Sequence, residues 1–105
     1  MEIIKCLSEK IEDELKDAGE YVEMAMRWKD EAPEAADLFY ELSAEEMGHM
    51  EKLHEMAEEH IEAYREKHGE PPKDMMTLYN FLHDKHKQTA LHIKVMQGMY
   101  KMKDE

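Results

Sequence analysis

Apolar residues recur every three or four positions along this chain, in three long runs separated by two proline-containing breaks. That spacing gathers them on one face of an α-helix. In the first run, predicted helical over about 8–30, one row reads Leu7, Glu14, Tyr21, Trp28 and its neighbour reads Ile4, Ile11, Ala18, Ala25. Leu15 and Val22 widen the stripe, and Glu14 is the one charge within it. Gly19 lies mid-helix at a cost of about 1 kcal/mol against Ala, which predicts a close helix contact there.

The first break is Asp30-Glu-Ala-Pro-Glu, where Pro33 suits the first turn of a new helix. The second helix is predicted over about 33–68, until Gly69-Glu-Pro-Pro stops it. At 1.5 Å per residue it is about 54 Å long. Its inward stripe is predicted as Ala35, Leu38, Phe39, Leu42, Glu46, His49, Leu53, Met56, His60 and Tyr64, with a Glu-rich face toward water. Asp74 is the expected N-cap of a third helix over about 74–102. Here Met75, Leu78, Tyr79, Leu82, His86, Ala90, Ile93, Met96 and Tyr100 share one side, while Leu91, Val95, Met99 and Met102 make a second strip. Apolar surface on two sides predicts burial on two sides, and so contact beyond one chain.

The expectation is an all-α single domain over 1–105, a three-helix chain built on a long antiparallel hairpin. Composition agrees: Glu, Lys, Met, Ala and Leu are good helix formers, and 105 residues make one small domain that gains from an oligomeric interface. The net charge of -12 argues against nucleic acid or an anionic membrane as partner. The charge is uneven. Over 75–103 the only acid is Asp84, against five lysines and three histidines, so the third helix is expected to lie against acidic neighbours. Cys6 is the only cysteine, which excludes an intrachain disulfide and a Cys-x-x-Cys site. Residues 1–7 do not read as a signal peptide and no run is long enough to span a bilayer, so a cytoplasmic protein is expected.

The candidate chemistry lies in Ser43-Ala-Glu-Glu-Met-Gly-His-Met50. Glu46 and His49, three residues apart, share one helix face and can hold one metal ion between them. In an antiparallel hairpin the midpoint of Glu14 and Glu46 is residue 30, and that of Glu14 and His49 falls between 31 and 32. Both coincide with the predicted turn, so Glu14 belongs level with the pair. Buried carboxylates tend to neutralise unless a cation holds them. Gly48 leaves room at this point for another backbone. The plainer alternatives are a surface ion pair for Glu46 and His49 and a register-setting polar residue for Glu14. Eleven methionines invite a Cu(I) reading, but they form no repeated ligand spacing and read as core filling.

Glu14-x6-Tyr21 on one helix, then a Pro turn, Pro33-Glu-Ala-Ala-Asp-Leu-Phe-Tyr-Glu-Leu-Ser-Ala-Glu-Glu46, and Glu46-Met-Gly-His49 together resemble half of a ferritin-like di-iron carboxylate protein, closest to the rubrerythrin type. The likeness covers about residues 10–57. It implies Glu14, Glu46 and His49 as iron ligands, with Tyr21 beside them as an electron or radical reservoir, and manganese or another divalent metal as the substitute. A complete di-iron bundle needs two further ligand helices, and the third helix has no glutamate. Two chains supply what one lacks. The resemblance therefore implies a four-helix bundle completed by dimerisation, similar to the short encapsulated ferritins, in which Fe(II) meets O2 or peroxide at an intersubunit site. The tail Lys101-Met-Lys-Asp-Glu105 does not look like an encapsulin-targeting peptide, and no rubredoxin-type donor is present. Two other classes stay open: a metal-free helical assembly module, and a His/Met-rich carrier of another transition metal.

Overall fold

The structure is a computed structural model describing residues 1–102. It consists of α1 (Glu2–Trp28), α2 (Pro33–His68) and α3 (Lys73–Lys101), with no strand among the described residues. The three pack into a rod of 55 × 18 × 17 Å. The tail reading falls largely on 103–105, outside the described residues.

The breaks act as their chemistry dictates. Pro33 occupies the first turn of α2. Gly69, at φ 83, stands in the left-handed region that a residue with a Cβ avoids, and its N–H closes the helix on the Arg65 carbonyl. Two boundaries differ from expectation. α1 begins at Glu2 rather than near residue 8, because Ile4 and Leu7 continue its apolar row and cover Ala57, Ile61 and Tyr79. Without them the far end of the long α2 would share its core only with Tyr79 and Met76 of α3. Asp74 is not the N-cap of α3: Pro72 is, in extended conformation, and Asp74 lies in the first turn. There its charge still complements the helix dipole.

α1 and α2 run antiparallel. At one end Ile4 and Leu7 meet Ala57 and Ile61, and at the other Ala25 meets Ala36. α3 returns along α1 in the same direction, with Tyr79, His86, Ile93 and Tyr100 buried at heptad spacing. Leu78, expected inward, is exposed. A Cβ added at Gly19 would lie 3.8 Å from the Ile93 side chain, an ordinary van der Waals distance, so α3 packs near this point without demanding glycine. The three helices are joined in the core at Ser43, whose hydroxyl donates to the Ala18 carbonyl (2.7 Å) and accepts from Gln97 Nε2 (2.9 Å). The basic α3 meets acids of its own chain: Lys94 reaches Glu51 at 3.8 Å and His86 lies 3.5 Å from Glu12.

The stripe expected inside α2 requires correction. The buried residues are Ala36, Ser43, Met47, Ala57 and Ile61, whereas Ala35, Leu38, His49, Met56 and His60 are exposed and Phe39, Leu42, Glu46, Leu53 and Tyr64 half-buried. Small side chains at 36, 43 and 57 let α1 come close, and α3 covers the flank carrying Met47 and Met50. The larger apolar residues line the side of the hairpin that α3 leaves open. Met47, Met50 and Met96 fill the central core as expected of flexible thioethers. The second strip of α3, Leu91, Val95, Met99 and Met102, is exposed throughout.

Candidate metal centre

The open side of the hairpin carries Glu14 from α1 and Glu46 and His49 from α2. One turn of α2 aligns Glu46 with His49, and the antiparallel pairing brings Glu14 to their height, as the midpoint rule requires. His49 Nδ1 lies 3.1 Å from Glu46 Oε1 and 3.4 Å from Glu14 Oε2. One ligand atom from each of the three residues falls within 4.8 Å of the others, the only such group of three or more His, Cys, Asp or Glu side chains among the described residues.

The carboxylates are sheltered and the imidazole is not. The Glu14 and Glu46 side chains are 17% and 18% exposed and that of His49 56%. Glu14 Oε2 is buried without a hydrogen-bond partner. Burial, followed by the facing Glu14 carboxyl, raises the pKa of Glu46 above its ordinary value, and His49 only partly opposes this. Two sheltered acids and one orphaned oxygen form an arrangement that a cation relieves. Two carboxylates and an imidazole suit Fe(II), Mn(II) or a similar divalent ion, so the residues fit the metal that the resemblance implies.

Comparison of the chain with protein-family models, with curated proteins and with solved structures gave no match. The centre therefore rests on its own geometry and donor chemistry.

Tyr21, two turns along α1 from Glu14, stacks on Phe39 with ring centroids 6.5 Å apart and planes 19° apart. It shares the open side, but no hydrogen bond joins it to the carboxylates among the described residues. Beside Gly48 there is open space, where a Cβ would meet nothing within 4 Å. Among the described residues the donors of this centre thus end at three, and α3 adds none.

A second cluster lies between α2 and α3. His54 on α2 and His83 on α3 stack face to face, with centroids 4.5 Å apart and planes at 9°. His83 continues the stack onto Tyr79, at 5.9 Å and 4°. Glu58 Oε1 lies 3.4 Å from His54 Nε2. Burial, then His54 and Lys87, lower the pKa of His83. Burial, then the Glu58 charge, raise that of Tyr79. The midpoint rule could have found this cluster too: Glu58 and His83 average to 70.5, inside the Gly69-Glu-Pro-Pro turn.

Proposed function

We propose that this chain is a ferritin-like metal protein that works as a homodimer, with the open sides of two α1–α2 hairpins meeting about a two-fold axis. Two copies of Glu14, Glu46 and His49 then give four carboxylates and two imidazoles, the ligand count of a di-iron carboxylate centre. The observation that carries this is the convergence of those three side chains within 4.8 Å on the side that α3 leaves open. Exposed Leu38 and Met56 on the same helix support a contact there, since apolar residues grouped around polar ligands are what an interface buries.

Within that centre each chain would hold iron through Glu14, Glu46 and His49. The carboxylates balance its charge, and His49 contributes a neutral donor. Burial and the facing Glu14 carboxyl raise the pKa of Glu46, so a proton and a cation compete for its carboxylate. Bound iron would supply oxidation of Fe(II) to Fe(III) by O2 or peroxide. Tyr21 offers a phenol near the metal, held in orientation by Phe39. The net charge of -12 raises the local concentration of Fe(II) around the molecule. A cytoplasmic address belongs to the same proposal; no helix among the described residues is long and apolar enough to cross a membrane.

A metal-free assembly module is the second reading, favoured by the exposed strip Leu91, Val95, Met99 and Met102. Metal content separates the two. Anaerobic Fe(II) titration is expected to load about one iron per chain, two per dimer, with absorbance growing on O2 addition and both lost in Glu46→Ala. A chain that neither binds nor oxidises Fe(II) in any oligomeric state overturns the proposal.

A further inference from the structure

We propose that His54 and Glu58, joined by His83 once its ring has turned, form a second transition-metal site, separate from the Glu14 centre, in the gap between α2 and α3. Three observations meet there. His54 and His83, from different helices, stand 4.5 Å apart with parallel rings, and Glu58 lies 3.4 Å from His54 Nε2. His54 Nε2 and the Tyr79 hydroxyl, the latter on a residue only 7% exposed, are buried without hydrogen-bond partners. A cavity of about 550 Å³ opens beside the stack, lined by His54, His83, His86, Glu51 and Glu55 among others.

Buried polar atoms without partners are uncommon, and each costs about 1–3 kcal/mol. A cation bound to His54 and Glu58 uses one of them directly. The site takes its second imidazole when the His83 ring turns out of the stack, a motion about the broad χ2 torsion of histidine. The cavity leaves room for that turn and for water to complete the shell. Two imidazoles and one carboxylate suit Zn(II), Co(II), Ni(II) or Cu(II) better than a hard ion such as Mg(II). This second site lies on the opposite flank of α2 from the Glu14 centre. It does not depend on the Glu14 centre binding anything.

The test uses the full chain carrying Glu14→Gln and Glu46→Gln, which lacks the first centre whatever that centre binds. Co(II) is titrated in while visible absorbance and the histidine ring ¹⁵N signals are followed. One bound Co(II) is expected, with the His54 and His83 signals broadened first. His83→Gln is expected to weaken binding by at least the ~10–100-fold that loss of a mere outer-shell partner costs. Absence of Co(II) binding, binding unchanged by His83→Gln, or first broadening at other histidines each overturns the site. The ring signals decide the matter on their own if His83→Gln fails to fold.

Discussion

Glu14 Oε2 and His49 Nδ1 lie 3.4 Å apart although the two residues are separated by 35 positions (49 minus 14). The hairpin alone creates that contact, and it leaves the His49 side chain 56% exposed. One imidazole and two sheltered carboxylates therefore face outward on a surface flanked by exposed Leu38 and Met56. If a second chain completes this site, as proposed, the consequences reach stability as well as binding.

Glu46→Gln is expected to stabilise the metal-free chain while abolishing metal binding. The folded-state pKa of Glu46 is raised above its ordinary 4.5. Its contribution to stability is then fully present below the unfolded pKa and is lost as pH rises through the folded one. The metal-free protein should lose stability over a window beginning just above pH 4.5, and the Gln variant should not. Thermal unfolding across pH 4 to 7 measures this, with a gain on the order of 1 kcal/mol at neutral pH for the variant.

Ser43→Ala is expected to destabilise the bundle by about 1–3 kcal/mol, because Gln97 keeps its donor in the core without an acceptor and the Ala18 carbonyl loses its partner. Urea unfolding gives the figure. Iron stoichiometry should not change, since Ser43 belongs to the side of α2 that faces the core.

How much of this was legible without coordinates depended on the strength of local chemistry. Pro33 and Gly69-Glu-Pro-Pro bounded α2 to the residue, because a ring-locked φ and a left-handed glycine leave no choice. The start of α1 was not legible, since no capping side chain marks it and its first turns are held by packing on the far end of α2 and the start of α3. The buried stripe of α2 was misjudged because its members, Ala36, Ser43 and Ala57, are small. Hydropathy gives more weight to Leu38 and Met56, which are exposed. The level of Glu14 against Glu46 and His49 was legible from the turn position alone. That their side faces away from α3 was not, because the packing of a third helix is a long-range choice that periodicity does not encode.

Tyr21→Phe should leave folding and iron stoichiometry intact, because the ring retains its stack on Phe39. The expected change is in the rate of Fe(II) oxidation or in a transient radical signal, followed by stopped flow and electron paramagnetic resonance. Unchanged kinetics would reduce Tyr21 to a packing residue.

Leu38→Asp should keep helical content and monomer stability, since the side chain is 52% exposed. At a shared interface it should weaken dimerisation by about ten-fold or more, in line with loss of a well-packed interface residue. Sedimentation velocity over a dilution series reports the shift. A dimer untouched by the change places the contact elsewhere on the molecule.

The central claim is that the metal site belongs to two chains at once, and native mass spectrometry after anaerobic Fe(II) loading tests it most directly. The expected spectrum shows about two irons on the dimer and none on the monomer, with Glu46→Gln removing the metal. Iron held by the monomer, or a dimer that carries no iron, would contradict it.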